Sequence, residues 1–379
     1  MSLPRLKITF LVPPDNLSGG IRVVATYARE LQSRGHAVTV VMEKPHSRSF
    51  RERLRLFKRG KIPDALQRTE PVIKGHLSHA GVHILEFAKH DIVRGEDVPA
   101  ADLVIATWWE TVEWMKNWPP HKGRQLHLVQ GYEIWFDDLT NARVKAALRS
   151  NTVKVAVSEP LRQEIEQELD IRGVHVIRNG IDLRLFDTPA RALNDVPQVG
   201  YVYSTTPSKA LERYKRIVDS VRDRIPELRI MAFGAEPPHP DFPLPDNTEY
   251  FYQPSQTLLP KLYASCDAWL FASRIDSFGL PVLEAMASRT PVVSLPVGAA
   301  PELLRRGGGV LISPVKEDLL PERFASAVSA LCTDAVYWRA CSDVAYQKTR
   351  VMGWDSSVDQ FERLLYDIIR GDRRLQSSW

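Results

Sequence analysis

Cysteine is almost absent. Only Cys266, Cys332 and Cys341 occur, in no CxxC or Cys/His ligand spacing, and an odd number does not suggest a disulfide framework. A reducing compartment is therefore expected, and no metal centre. Charge of one sign is also lacking: 50 Lys and Arg stand against 46 Asp and Glu, a formal net charge of +4. That balance admits anionic substrates or a membrane surface without requiring either, and does not by itself exclude nucleic acid, although no nucleic-acid partner is expected. Long apolar runs are missing, so no stretch reaches the roughly 20 residues of a membrane helix. The chain enters a strand-like run at Lys7 with no segment of signal-peptide type before it, so any membrane contact is expected to be peripheral. The expected location is the cytoplasm, with the inner face of the cell membrane open to it. No solenoid repeat or low-complexity tract is present. The first strand is not followed by GxGxxG, and the acidic residue after the second strand is only Glu43, which argues against a nicotinamide-dependent dehydrogenase.

What is present is alternation. A chain of 379 residues, 44% hydrophobic, exceeds one ordinary core and suffices for two. Strand-like runs at Lys7 to Val12, Ala37 to Met42, Leu103 to Ala106, Leu126 to Val129, Lys154 to Val157 and Val174 to Ile177 suggest a first α/β domain over 1–188. A Gly19-Gly20 loop separates the first strand from a helix expected near Ile21 to Arg34. The polar, proline-bracketed stretch Asp187 to Pro197 reads as a linker. The alternation then restarts with strands at Gln198 to Tyr203, Arg229 to Phe233, Tyr250 to Gln253, Ala268 to Ala272 and Pro291 to Leu295. Helices are expected over Ser208 to Arg224, around Leu258 to Ala264 and from Pro281, giving a second domain over 196–355. Apolar residues at helical spacing in the tail predict an amphipathic helix from about Ser356 to Arg370.

The densest signal is Ser273 to Ala287, which holds two carboxylates, Asp276 and Glu284, on either side of a Gly-Leu-Pro helix start. Pro281 fits the first helical position, so Phe278, Gly279 and Leu280 should offer backbone amides at the helix mouth. Those amides and the positive end of the helix dipole suit a phosphate at the carboxyl edge of a parallel sheet. Carboxylates accept without donating, and a pair spaced along such a pocket suits the hydroxyls of a sugar and a ribose.

This segment, together with Gly19-Gly20, the turn Val176 to Asp182 and Gly298-Ala-Ala-Pro-Glu302, resembles the family-4 glycosyltransferases. The resemblance runs in order along nearly the whole chain and is most specific over Asp276 to Ala287. It implies the GT-B architecture: an α/β fold of two Rossmann-like domains facing each other across a cleft, with the C-terminal helix (356–379) crossing back to the first. It implies retaining, metal-independent transfer of a hexose-type sugar from a nucleotide diphosphate donor to a glycan or lipid-linked acceptor, in cell-surface polysaccharide or glycolipid synthesis. No cofactor is implied. A DxD signature for Mg²⁺ is missing; the nearest candidate is the adjacent pair Asp137-Asp138.

Carried over residue by residue, Glu284 would hydrogen-bond the donor ribose and Asp276, where the family usually has Glu, would contact the transferred sugar. Phe278, Gly279 and Leu280 would meet the sugar or phosphate through their amides, and Gly19 and Gly20 would let the first loop approach the diphosphate. The family's Arg and Lys at the start of the second domain have no unambiguous match. Tyr201 stands where the Arg often is, and Lys209 is preferred as the phosphate cation, with Arg213 and Lys215 as competitors. Gln130 replaces a frequent His after the strand Leu126 to Val129. Gln cannot act as acid or base near neutral pH, so positioning is its expected role, and the leaving phosphate is expected to take the acceptor's proton. On the acceptor side, Gln130, Glu133, Trp109 and Trp135 are candidates, with Glu110 beside them, although core is the more usual role for most aromatics of this region. Asn179-Gly180 reads as a structural turn and Glu302 as a helix-start residue.

One segment stands outside the motif. Residues 48–61 carry seven basic groups and one acidic, with Phe50, Leu54 and Phe57 on one helical face. That pattern suits peripheral contact with an anionic membrane and equally a helix packed on its own domain. Two further readings of the whole chain share the architecture: a GT-B sugar-nucleotide epimerase and a non-catalytic nucleotide-sugar-binding paralogue.

Overall fold

The computed structural model describes residues 4–43, 75–87, 93–134 and 137–371. The basic segment 48–61 and Trp135 lie outside them. Contact density divides the chain into two units, one of 1–155, 166–175 and 361–379, the other of 156–165 and 176–360.

The first unit is built on a seven-stranded sheet in the order β3-β2-β1-β4-β5-β6-β7. Its strands are β1 (Lys7–Val12), β2 (Ala37–Glu43), β3 (His83–Phe87), β4 (Leu103–Ala106), β5 (Arg124–Val129), β6 (Val153–Ala156) and β7 (His175–Val176). β1 pairs in parallel with β2 on one side and β4 on the other. Five of its six residues are buried, as expected for a central strand covered on both faces.

Helix α1 (Gly19–Ser33) begins two residues earlier than the apolar spacing predicts. Ser18 is the reason: in extended backbone, its Oγ accepts from the Ile21 N–H at 3.4 Å, and its carbonyl accepts from Arg22. Gly19 and Gly20 thus form a helical first turn and not a loop. Three further helices follow, α2 (Trp109–Met115), α3 (Asp138–Leu148) and α4 (Glu159–Leu169), the last shared between the two units.

The second unit carries a six-stranded sheet, all parallel, in the order β10-β9-β8-β11-β12-β13. Its strands are β8 (Gln198–Val202), β9 (Arg229–Gly234), β10 (Thr248–Tyr252), β11 (Ala268–Phe271), β12 (Val292–Ser294) and β13 (Gly309–Leu311). The helices are α5 (Leu211–Arg222), α6 (Leu259–Ala264), α7 (Leu280–Ala287), α8 (Ala300–Leu304), α9 (Leu320–Thr333) and α10 (Ala335–Thr349). Val199, Ala268, Leu270 and Val293 from the strands meet Ile217, Val218, Phe324 and Val328 from the helices in one core. Helix α11 (Trp354–Arg370) starts in the second unit and ends in the first.

The stretch read as a linker is pinned to the second unit. Asp267, fully buried at the foot of β11, accepts from Arg191, from the backbone and side chain of Asn194, and from the Gln198 N–H. Burying a carboxyl group is costly unless its oxygens are hydrogen-bonded, and meeting that need draws 191–198 against the sheet. By contact density the 176–188 segment groups with this unit. Asn179-Gly180 explains it: the Ile181 N–H donates to Met352 and the Trp354 N–H to Ile181. A Cβ on Gly180 would lie 2.6 Å from the Trp354 nitrogen, so only glycine permits the two segments to cross this closely.

Candidate active site

The β11–α7 loop carries Asp276, and two neighbouring loops fix its shape. On one side the Ser208 carbonyl, in the β8–α5 connection, accepts from the N–H groups of Arg274 and Ile275 at 2.8 and 3.2 Å. On the other, the Ala299 N–H donates to Phe278 at 3.0 Å, and Gly298, at φ +57°, packs against the Asp276 and Phe278 backbone. Ser158, the residue before α4, donates its hydroxyl to the Ser277 carbonyl at 2.6 Å.

Lys209 and Asp276, 67 positions apart, meet here: the Lys209 Nζ donates to Asp276 Oδ2 at 2.6 Å. The backbone places them, because Lys209 ends a tight turn that passes through Ala210 in the left-handed region, φ +52°, before α5 begins. The competing cations are committed elsewhere. Arg213 is buried, donating to the Ala272 carbonyl at 2.7 Å and pairing with Glu317, so it clamps the end of β11. Lys215 is exposed and pairs with Asp219 one turn along its own helix.

The helix mouth differs from the expectation in two ways. Leu280, not Pro281, is the first residue of α7, and Gly279 caps it in the left-handed region at φ +85°. Asp276 also turns back on its own loop, with Oδ1 accepting from the Phe278 N–H at 3.2 Å. One of the three amides expected to meet a ligand is thereby taken by the neighbouring carboxylate. The N–H groups of Gly279 and Leu280 make no hydrogen bond among the described residues, which leaves two of the three amides without a protein acceptor. The side chains of Phe278 and Leu280 are buried beneath them.

Glu284 lies one turn into α7 and is 3% exposed. The Tyr263 hydroxyl of α6 donates to Glu284 Oε2 at 2.7 Å. Tyr263 is itself buried, with its ring 4.3 Å from Trp269 and 5.5 Å from Phe233, so the donor cannot drift. No motif marks this partner, 21 positions upstream. Glu302 accepts from the Glu159 N–H at 3.2 Å and from Arg178 Nε at 2.7 Å; it caps α4 and does not reach Asp276's partners.

In the first unit the mouth of α1 adjoins the β5 loop. A Cβ on Gly20 would lie 3.5 Å from Gln130 Oε1, so that amide stands beside the helix start, where the N–H groups of Gly19 and Gly20 donate to nothing among the described residues. Glu133 follows on the same loop, and burial pushes its carboxyl well above the usual carboxylate range. Burial, then the nearby Glu43, also raises Glu110. Trp109 does not offer a stacking face: it is 5% exposed, and the Arg143 guanidinium lies 4.5 Å over its ring. Arg143 is held there by a two-bond pair with Glu113. His127 of β5 is fully enclosed near Lys154, and burial holds its imidazole down at about 3.

Two family models match this sequence. Glycosyltransferase Family 4 covers residues 17–185 and Glycosyl transferases group 1 covers 196–334, so the two abut across the pinned linker. The chain belongs to glycosyltransferase family 4. Among its relatives is a D-inositol 3-phosphate glycosyltransferase 1 of Catenulispora acidiphila, 33% identical over 29% of this chain and 26% of that protein. A D-inositol 3-phosphate glycosyltransferase of Salinispora tropica is 27% identical over 70% of this chain and 64% of that protein. The chain thus spans about a quarter of the first relative's length and under two thirds of the second's. Among solved structures, Anabaena HepE in complex with UDP-glucose superposes with a TM-score of 0.67 at 17% identity, over 96% of this chain and all of that one. The family-4 chain has the GT-B fold of two Rossmann-like sheets. Among the described residues no helix is long and apolar enough to cross a membrane, and no group of three His, Cys, Asp or Glu is placed to hold a metal ion.

Proposed function

We propose that this protein transfers a sugar, with retention of anomeric configuration and without a metal ion, from a nucleotide diphosphate donor to a glycan or lipid-linked acceptor. The donor binds the second unit. The observation that carries this reading is the Lys209–Asp276 pair beside the two unengaged amides of Gly279 and Leu280. A partly exposed ion pair stabilises by no more than about 1 kcal/mol, so a doubly charged diphosphate can take Lys209 from it. The Asp276 carboxylate released from that contact then accepts hydrogen bonds from hydroxyls of the transferred sugar. Charge grows on the leaving diphosphate as the glycosidic bond breaks, and Lys209 with the α7 mouth opposes it. Glu284 accepts from the ribose, its carboxylate oriented by Tyr263.

On the first unit Gln130 and Glu133 serve the acceptor. With Gln130 unable to take a proton, the departing phosphate oxygen receives it from the acceptor hydroxyl. HepE's complex with UDP-glucose supports a nucleotide-sugar donor, and membership of family 4 supports transfer as the reaction. Polysaccharide or glycolipid synthesis is the proposed setting. Peripheral attachment at the cytoplasmic membrane face through 48–61 is the proposed location.

A thermal-shift screen against UDP, GDP, ADP and their hexose conjugates tests the reading, because a ligand that binds only the folded state raises its melting temperature by mass action. Stabilisation by one base class, lost in Lys209→Ala, is expected. No stabilisation by any of them at millimolar concentration overturns it. The anomeric proton coupling of the transferred sugar, read by NMR, tests retention.

A further inference from the structure

We propose that Glu236 is a positioning residue for the donor site, acting on Lys209 through the loop that carries it. The inference rests on reading Lys209 as the diphosphate cation. Lys209 lies near the end of a short connection, 203–210, whose residues 204–209 are half-buried or exposed, so polar contacts must hold the loop.

The start of the loop is fixed by backbone. The Tyr203 N–H donates to the Phe233 carbonyl at 2.8 Å, and a Cβ on Gly234 would come 2.4 Å from the Tyr203 oxygen, so β9 gives way to let the loop pass. The end is fixed by the Ser208 carbonyl, which takes the Arg274 and Ile275 amides. Between these anchors Glu236, two residues past β9, clamps Thr205 with both carboxylate oxygens. Oε1 accepts from the Thr205 N–H at 2.6 Å and Oε2 from its hydroxyl at 2.7 Å. Glu236 is anchored in turn by the Tyr250 hydroxyl, which donates to its carbonyl.

A carboxylate at the carboxyl edge of this sheet would oppose a diphosphate if it were free. With both oxygens engaged by Thr205 it faces the loop instead and contributes order. Charge-assisted bonds to backbone amides are among the stronger protein hydrogen bonds, and two from one residue fix both position and direction. The sequence pattern that marks it is a Glu just past the carboxyl end of a parallel strand, a place where polar residues tend to serve a site.

The test is a double-mutant cycle read by calorimetric titration of whichever of UDP, GDP or ADP stabilises the wild-type protein. Glu236→Ala is expected to weaken that nucleotide about tenfold, equivalent to about 1.4 kcal/mol. In a Lys209→Ala background the same change should weaken it less than twofold, because the residue acts through a cation already gone. Glu236→Gln, which keeps an oxygen for the Thr205 amide, should restore most of the affinity. If Glu236→Ala does not fold, Thr205→Val removes the hydroxyl half of the clamp and enters the same cycle. Wild-type affinity in Glu236→Ala, or a full tenfold loss on top of Lys209→Ala, overturns the inference and leaves the donor site intact. Wild-type affinity in Lys209→Ala overturns the donor-site reading itself, and this inference with it.

Discussion

Gly298→Ala should damage the candidate site from behind, without altering any residue expected to touch a ligand. Gly298 has φ +57°, a region that costs a residue with a Cβ roughly 1–2 kcal/mol. The added Cβ would also sit 3.0 Å from the Asp276 carbonyl oxygen and 3.2 Å from the Asp276 and Phe278 carbonyl carbons. These are backbone atoms and cannot rotate away, and overpacking of this sort adds about 1–3 kcal/mol. The expected sum, about 2–5 kcal/mol, lowers the melting temperature of a unit this size by about 5–15 °C. Any relief must come from moving the Asp276 loop, which breaks the 2.6 Å contact with Lys209 and weakens nucleotide binding. Gly35→Ala is the control: its φ is +95°, but a Cβ there meets nothing within 4 Å, so only backbone strain is added. The assay is differential scanning calorimetry followed by nucleotide titration of both variants. Equal losses of melting temperature in the two, or unchanged nucleotide affinity in Gly298→Ala, would refute the reasoning.

Three further outcomes follow from the same contacts. Lys215→Ala should leave nucleotide affinity unchanged and stability within about 0.5 kcal/mol, since its pair with Asp219 is an exposed one along a helix; titration beside Lys209→Ala separates the two lysines. Tyr263→Phe removes the donor to a buried carboxylate and should cost about 1.5–3 kcal/mol in urea unfolding, with a smaller loss in Tyr263→Phe/Glu284→Gln than the single changes sum to. His127, held down at about 3 against an unfolded value near 6.5, binds its proton more readily in the unfolded chain. The stability it contributes is complete above pH 6.5 and drains away as pH falls towards 3, about 2 kcal/mol of it between pH 7 and pH 5. Unfolding curves of His127→Leu at those two pH values should differ less than those of the wild type by that amount; an unchanged difference would count against a neutral buried imidazole.

Much of the fold could be read because parallel strands are apolar on both faces and announce themselves in sequence. β1, β4 and β11 fall where their runs of Val, Ile, Leu and Phe put them. β3, β13 and the helices α9 and α10 carry no comparable signal. β3 and β13 are edge strands of half-exposed residues, and α10 carries scattered Tyr, Trp and Cys in place of a clean stripe. α1 starts ahead of its apolar spacing for a local reason, the hydroxyl cap from Ser18 that overrides the poor helical propensity of two glycines.

Local pattern carries the alternation of strand and helix, the family through the motif from Asp276 to Ala287, and the chemical types at the site: two acceptor-only carboxylates and a helix start. What each of those groups faces depends on the folded arrangement. Three cations compete for one role within seven residues, and nothing in their order distinguishes Lys209 from Arg213 and Lys215. The difference arises from a left-handed Ala210 and two backbone bonds to Ser208, which turn Lys209 towards Asp276, while helix geometry sends Arg213 into the core and Lys215 to solvent. Likewise Tyr263 beneath Glu284 and Glu236 against Thr205 are meetings between distant segments. A side chain's chemistry is local, but its partner depends on how loops at the ends of adjacent strands are stacked, and that order is a property of the sheet.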